Sequence, residues 1–293
     1  YFMWPFLWSD PINNFIYSFK LMTKAQNQIE VLNYYFGNYH SSIFTPWHYR
    51  IIWFLFTTPV FILFFFLTGL FLLLFHFSKG ILNITNLNND PWKNNDQLFD
   101  FYLLIYLVFI TFIVTKFNTS VSGGWRHLYF LYPVIILISF VGFRFFLNLV
   151  NIKKYKFLIL VLIFVNFSYL LSWIYKFHPH QQVFFNFISK NYAKKNFDLD
   201  YWGVSNIHSL KYILSKNEKF PVRISAISFT SLRESVLMLD KQDQKKFIIV
   251  YDPNVSDFLI DNYMRKIRKN FEVDKSIYSK YFEIIVNEIP INT

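Results

Sequence analysis

Four long apolar stretches dominate the middle of the chain, at residues 51–77, 98–117, 128–150 and 157–175. The first and the last contain no Asp, Glu, Lys or Arg. The second has Asp100 and Lys116 near its ends, and the third has Arg144 about two helical turns before its end. Because about 20 apolar residues in a helix cross the hydrocarbon core of a bilayer, the pattern predicts about four transmembrane helices within residues 51–175.

Basic residues between the stretches orient the predicted helices. Three lysines crowd residues 153–156, in the short loop between the third and fourth stretches. Short cytoplasmic loops are enriched in Lys and Arg, so we expect this loop in the cytoplasm. Parity then places residues 79–97 in the cytoplasm as well. We expect three parts of the chain on the external side of the membrane: residues 123–127, the segment before Ile51 and everything after Tyr175.

The first 50 residues are rich in aromatic and polar side chains. Residues 1–8 have the composition of the end of a hydrophobic helix. Residues 10–50 are typical of an external loop, with a helical piece over Phe15–Leu32. We interpret residues 1–50 as the end of a core helix plus an external loop, and we expect the chain to be part of a longer protein.

Residues 176–293 form a different kind of sequence, which holds most of the acidic and more than half of the basic residues. Short apolar runs predict strands at Val222–Phe229, Phe247–Tyr251 and Tyr281–Val286. A capping-box pattern predicts a helix from Ser231 to Leu239, and apolar spacing predicts another over Ser256–Ile267. Alternating strands and helices predict a small soluble C-terminal α/β domain.

Composition supports a polytopic α-helical membrane protein. Hydrophobic residues make up 54% of the chain and aromatic residues 23%, whereas charged residues make up only 16%. A soluble domain carries more charge and far fewer Phe. The net charge of +11 fits loops beside anionic lipid head groups, so we expect membrane lipid and no nucleic acid as a partner. The chain has no Cys, which excludes disulfides and thiolate chemistry.

The sequence GGWRHLYFLYP at residues 123–133 lies where an external loop enters the third predicted span. Arg126 places a fixed positive charge at the lipid–water boundary, and a guanidinium pairs with two phosphate oxygens at once. His127 adds a second donor, and the glycines allow close approach to the backbone. The alternative is an interfacial anchor, in which Trp125 and Tyr129 are aromatic-belt residues.

The same segment resembles the Gly-Trp-Arg-His-hydrophobic-Tyr-Phe-hydrophobic-Tyr-Pro signature of bacterial membrane glycosyltransferases of family 39. These enzymes have the GT-C fold and are similar to protein mannosyltransferases and lipid A aminoarabinose transferases. Three further places resemble the family in the same order: residues 5–12, residues 35–37 with 45–49 and 57–59, and residues 197–205. The resemblance covers the C-terminal part of such an enzyme only.

The resemblance implies an enzyme of the bacterial inner membrane that moves a sugar from a polyprenyl-phosphate donor to a periplasmic acceptor. It places the catalytic Asp in the first external loop, which is expected upstream of Tyr1, so the chain alone is expected to be inactive. Arg126 and His127 are the expected ligands of the donor phosphate. The further possible substrate contacts are Asp10, Trp47, His48, Tyr49, Trp125, Tyr129, Tyr201 and Trp202.

Other polar residues have simpler interpretations beside the functional ones. Tyr201 and Trp202 suit stacking on a sugar ring, or the core of a small domain. Asp198 and Asp200 suit sugar hydroxyls, or a solvated turn. Two pairs of histidines, His40 with His48 and His178 with His180, lack a third ligand at metal-binding spacing. We therefore predict no metal site and no cofactor, and leave dependence on a divalent metal open.

Two other functions compete with the glycosyltransferase. A transporter or flippase of a lipid-linked substrate usually has ionisable residues in mid-membrane, and the four apolar stretches have almost none. A membrane-tethered binding module without catalysis is the other alternative, in which the external domain alone carries the function.

Overall fold

The computed structural model describes residues 4–28, 31–82, 94–116, 121–150, 152–228, 230, 232–264 and 278–293. The helices are α1 Pro11–Gln28, α2 Tyr49–Thr57, α3 Val60–Leu82, α4 Asn95–Lys116, α5 Tyr132–Leu149, α6 Lys153–Lys176, α7 Lys190–Asn196, α8 Asn206–Lys216, α9 Leu232–Leu237 and α10 Lys241–Gln244. The strands are β1 Leu32–Tyr35, β2 Asn38–Ser41, β3 Val222–Ala226, β4 Phe247–Ile249, β5 Phe258–Ile260, β6 Ile284–Val286 and β7 Ile289–Asn292. Short 3₁₀ turns occupy Pro5–Leu7, Arg126–Leu131, Gln181–Val183 and Pro253–Val255.

Four helices are long and apolar enough to cross a membrane, as the hydrophobic pattern predicts. They cover Val60–Gly80, Asn95–Lys116, Arg126–Leu149 and Lys153–Lys176. Protein buries few of their residues. In the apolar part of each helix, the buried share of residues ranges from 6% in α6 to 28% in the third span. Apolar side chains that face no protein need lipid around them, so the four helices fit a membrane protein.

The prediction of one continuous helix over residues 51–77 is wrong. The chain forms α2, breaks at Thr58 and Pro59, and starts again as α3. Thr58 adopts an extended conformation, with φ −97° and ψ 137°, because a proline disfavours helical geometry in the residue before it and offers no N–H to continue the helix.

Two glycines bring α3 and α5 into close contact. A Cβ atom added at Gly69 would lie 2.0 Å from the carbonyl oxygen of Ile138, and one at Gly142 would lie 2.1 Å from that of Phe65. Small residues at a crossing let two membrane helices approach closely enough for their backbones to pack. This pair forms the centre of the membrane region.

A β-hairpin follows α1, where the sequence predicts a helix as far as Leu32. Helix α1 ends at Gln28, and Leu32 already pairs with Ser41 in the antiparallel β1–β2 hairpin. Phe36 and Gly37 both have positive φ at the turn, the geometry that matches the twist of two-residue hairpins. The hairpin contacts the C-terminal region, where the Phe36 amide donates to the Asn196 carbonyl at 2.8 Å.

The C-terminal region contains the predicted α/β unit. A parallel three-stranded sheet with the order β4-β3-β5 has its own apolar core, which includes Leu210 of α8 and Ile224 of β3. Strands β3, β4 and β6 fall within the three predicted strands, and α9 falls within the predicted helix. Ser231 and Phe229 lie outside the described residues.

The helix predicted over Ser256–Ile267 is wrong in its described part. Residues 258–260 form strand β5, which pairs in parallel with β3, and residues 261–264 are not helical. Pairing with β3 satisfies the backbone groups of an apolar triplet too short to bury a helix face, and Tyr263 leaves the strand with a φ of 54°. Residues 265–267 lie outside the described residues.

Candidate functional site

The segment that leads into the third span makes a tight turn with two glycines. Gly123 and Gly124 have φ values of 66° and 79°, a left-handed conformation that side chains rarely adopt. A Cβ atom at Gly123 would lie 3.2 Å from the Tyr201 ring, and one at Gly124 would lie 3.3 Å from the Trp53 ring. Both the conformation and the space therefore require glycine, and the turn sets the position of Arg126.

The Arg126 guanidinium lies against two aromatic rings of the C-terminal region. Its Cζ atom is 4.5 Å from the ring centre of Tyr201 and 4.6 Å from that of Trp202. Nη2 makes only long hydrogen bonds, at 3.4 Å to the Tyr201 hydroxyl and 3.5 Å to Ser122 Oγ.

One nitrogen of the same guanidinium has no partner. Nη1 is buried and makes no hydrogen bond. Among the described residues, no carboxylate forms an ion pair with Arg126. A buried donor on a charged group without an acceptor is costly, and the described residues leave the charge of Arg126 without a neutralising partner.

A cavity of about 440 Å³ opens beside Arg126. It is lined by Tyr49, Trp53, Gly123, Gly124, Arg126, Tyr129, Gln181, Gln182, Asp198, Leu199, Tyr201 and Trp202. The structure thus brings together six residues that the sequence suggests for substrate or phosphate contact: Tyr49, Arg126, Tyr129, Asp198, Tyr201 and Trp202. They come from three distant parts of the chain.

Several lining residues have no clear signal in the sequence. Gln181 and Gln182 follow the last span, in a stretch that contains no recognisable motif. Asp198 is buried, and its Oδ2 accepts a hydrogen bond from the Tyr34 amide at 2.9 Å. For Asp198 the sequence does give a signal, since it lies beside Tyr201 and Trp202 as a candidate for sugar hydroxyls and within the segment that resembles the glycosyltransferase family.

Asp200 holds the turn that carries the two aromatic rings. Its carboxylate accepts hydrogen bonds from the Ser205 amide at 2.8 Å, the Ser205 hydroxyl at 2.5 Å and the Gln182 side chain at 3.0 Å. Since Asp198 and Asp200 are both buried, neither belongs to a solvated turn. Asp200 has a structural role beneath Tyr201 and Trp202.

Three predicted substrate contacts lie away from the cavity. Asp10 accepts hydrogen bonds from Asn13 at the start of α1, which lowers the pKa of its carboxyl. Trp47 is 68% exposed. His48 Nδ1 lies 2.6 Å from the Tyr35 hydroxyl.

Two residues of the GGWRH segment also lie outside the cavity lining. Trp125 is buried, and its Nε1 donates to Thr57 Oγ1 at 2.9 Å, so it anchors the end of α2. His127 is exposed, and its Nε2 lies 3.4 Å from Arg126 Nε. Of the two predicted phosphate ligands, Arg126 alone lines the cavity.

Tyr49 contributes a neutral hydroxyl to the cavity wall. Burial raises the pKa of this phenol, and its oxygen accepts a hydrogen bond from the Gly124 amide at 3.3 Å. Burial also raises the pKa of the neighbouring Tyr35 to about 12. Neither phenol ionises at neutral pH, so both act only as hydrogen-bonding groups.

The four histidines of the two pairs contact other side chains in the described structure. In the described ranges, no group of three His, Cys, Asp or Glu side chains is arranged to hold a metal ion. His180 lies 5.2 Å from His208, measured between ring centres. Burial lowers the pKa of both imidazoles. The neighbouring His208 lowers the pKa of His180 further, and Lys211 lowers the pKa of His208 further.

A second cavity, of about 430 Å³, lies in the C-terminal region. Several polar groups on its wall are already paired: Tyr263 shares a 2.7 Å hydrogen bond with Thr293, and Ser209 donates to Asn292 at 2.8 Å. The cavity beside Arg126 contains a cation that forms no ion pair with a described carboxylate, and we take it as the better candidate site. No family of known proteins, no curated protein and no solved structure matches this chain.

Proposed function

We propose that the chain is the C-terminal part of an integral membrane glycosyltransferase, which moves a sugar from a polyprenyl-phosphate donor to a periplasmic acceptor. The observation that carries the proposal is Arg126, which lines a cavity at the start of the third span and forms no ion pair with a carboxylate among the described residues. The resemblance of residues 123–133 to family 39 supports the same assignment.

The position of Arg126 suits a phosphate on a lipid carrier. Arg126 is the first residue of the third candidate span, so its side chain lies at the boundary between lipid and water. A polyprenyl tail stays in the hydrocarbon, and its phosphate then lies at the same depth. A planar guanidinium pairs with phosphate through two parallel hydrogen bonds.

The remainder of the cavity wall suits a sugar. Gln181, Gln182 and Asp198 offer neutral amides and one carboxylate, the groups that bond sugar hydroxyls. Trp202 is 64% exposed, so it presents a ring on which the apolar face of a sugar can stack. Among the described residues, Arg126 and Asp198 are the charged members of the lining, and one cation suits a ligand with a single phosphate.

The chemistry follows from these contacts. The acceptor hydroxyl attacks the anomeric carbon, the bond from that carbon to the phosphate oxygen breaks, and the phosphate leaves on the lipid. Negative charge grows on the leaving phosphate, and Arg126 stabilises it. A carboxylate must take the acceptor's proton, and the family resemblance implies a preceding loop of the whole protein for that residue.

Substitution of Arg126 by Lys tests the phosphate site. The chain is reconstituted in lipid nanodiscs and titrated with undecaprenyl phosphate, with tryptophan fluorescence as the readout. We expect Arg126→Lys to weaken binding about tenfold to a hundredfold, because a hydrogen bond to a charged group contributes about 1.5–3 kcal/mol. Lys supplies a point charge but cannot form the two parallel hydrogen bonds that a guanidinium makes to phosphate.

Arg144→Lys is the matched control, since Arg144 lies near the other end of the same helix. If Arg126 were only an interfacial anchor, Lys would replace it with little loss, because both side chains extend to the head groups. Equal and small effects at the two positions contradict the phosphate assignment. Transfer of labelled sugar by the whole protein from a polyprenyl-phosphate donor then tests the catalytic proposal.

A further inference from the structure

We propose that helix α1 lies flat on the membrane surface, with one apolar face inserted between the head groups of anionic phospholipids. This inference is independent of the sugar transfer proposed above. It rests on the pattern of exposed side chains in α1, on the place where the helix joins the rest of the chain, and on its charge.

Four apolar side chains of α1 form one stripe. Ile12, Phe15, Ile16 and Phe19 follow the spacing of residues on one face of a helix. Their exposed fractions are 72%, 55%, 44% and 63% in the same order. The rest of the described surface is mixed, with the polar Asn13, Asn14, Ser18 and Lys20 beside the exposed Tyr17 and Leu21. A helix with a polar face does not span a bilayer, but an exposed apolar stripe suits its surface.

The end of α1 lies close to the membrane boundary. Only three residues separate Gln28 from Leu32, so these two Cα atoms are at most about 15 Å apart. Leu32 begins the hairpin that is bonded to Val121: the Asn33 side chain donates to the Val121 carbonyl at 2.7 Å. Val121 lies five residues before the third span begins. The hairpin and the end of α1 are therefore near the level of the head groups.

Charge selects lipid as the occupant of the stripe. The only charged residues within α1 are Lys20 and Lys24, and the helix contains no Asp or Glu. A basic amphipathic helix binds anionic membranes through buried apolar area and attraction to the head groups. Trp4 and Trp8, just before the helix, are 41% and 56% exposed, and Trp is enriched at this level of the membrane.

Spin labels test the placement in the whole chain, which has no cysteine of its own. Single Cys substitutions at Ile12, Phe15, Ile16 and Phe19 are labelled in vesicles that contain phosphatidylglycerol, beside a matched set at Asn13, Asn14 and Ser18. We expect oxygen, which partitions into lipid, to reach the first set better than a water-soluble nickel complex does. In the second set, the nickel complex should reach the labels better than oxygen does.

A charge reversal tests the lipid chemistry. Lys20→Glu combined with Lys24→Glu should remove the contrast between the two sets in their access to oxygen and to the nickel complex. Lys216→Glu combined with Lys219→Glu, in the C-terminal region, is the control and should leave this contrast unchanged. The four spans keep every variant in the membrane, so loss of the contrast is not loss of protein. Free access of the nickel complex to both sets overturns the proposal, since α1 then lies in water. Labels on the apolar stripe that neither reagent reaches also overturn it, because protein then covers the face.

Discussion

At the scale of single residues, the site depends on how Arg126 is held. Two glycines turn the chain ahead of it, and Asp200 fixes the turn that places Tyr201 and Trp202 against its guanidinium. Cation–π contacts of this kind contribute about 0.5–2 kcal/mol, and they orient a charge without neutralising it. Arg126 is thus positioned by rings instead of carboxylates, which leaves its charge available to an anion.

Gly123→Ala should damage the site more than its effect on folding explains. A left-handed φ costs about 1–2 kcal/mol for a residue with a side chain, and the new methyl group would also press on the Tyr201 ring. Gly37→Ala is the control, because Gly37 has a φ of 82° but no atom within 4 Å of the added Cβ. We expect both variants to lose similar stability in thermal unfolding and only Gly123→Ala to bind undecaprenyl phosphate more weakly. Unchanged binding by Gly123→Ala would refute this role of the turn.

At the scale of elements, the break between α2 and α3 is the feature that joins the membrane region to the C-terminal region. The break leaves carbonyl groups at the end of α2 without helical partners. Asn186, which is buried, supplies the donors: its Nδ2 donates to the carbonyls of Leu55 at 2.7 Å and Thr58 at 2.9 Å. Its amide also donates to the Phe56 carbonyl at 2.9 Å. Asn186, together with the Ser189 hydroxyl, which donates to the Phe56 carbonyl at 2.8 Å, therefore caps α2 from a distant part of the sequence.

Asn186→Ala should lower the free energy of unfolding by at least about 2 kcal/mol, because it removes the two Nδ2 hydrogen bonds to α2 and leaves buried carbonyls unpaired. It also removes the bonds that Oδ1 accepts from Ile188 and Ser189. Chemical unfolding of the detergent-solubilised chain, followed by circular dichroism, measures the change. Asn196→Ala is the matched control, since the Asn196 side chain bonds the Tyr192 carbonyl within its own helix. We expect it to cost less than about 1 kcal/mol. Equal losses in the two variants would show that Asn186 does not cap α2.

At the scale of the whole molecule, the site is assembled where two regions meet. The membrane region supplies Tyr49, Trp53 and Arg126, and the segments after the last span supply Gln182 and Asp198. The start of the third span and the C-terminal region therefore lie on the same side of the membrane. The lysine-rich start of α6 lies one membrane thickness away, at the opposite end of a helix of 24 residues.

Cysteine labelling tests this arrangement directly, because the chain contains no Cys. We expect Lys216→Cys, in α8, to react with a membrane-impermeant maleimide from the periplasm of intact spheroplasts. Lys154→Cys should react only after the membrane is opened. If both positions react from the same side, either a span is missing or the orientation inferred from the lysines is wrong.

The sequence alone determined that four long apolar helices follow one another in the middle of the chain, and it determined the α/β character of the C-terminal region. These properties depend on local composition: a run of apolar residues needs lipid wherever it lies, and short β-branched runs form strands. Pro59 breaks the helix for a local reason, whereas tertiary structure decided how the end of α2 is capped, the strand at residues 258–260 and the cavity beside Arg126. Each of these three depends on a partner far along the chain, namely Asn186 for the cap, β3 for the strand and Tyr201 with Trp202 for Arg126. Periodicity within a window carries no information about such partners, because hydrogen bonds and ring contacts between distant segments exist only after the chain has folded.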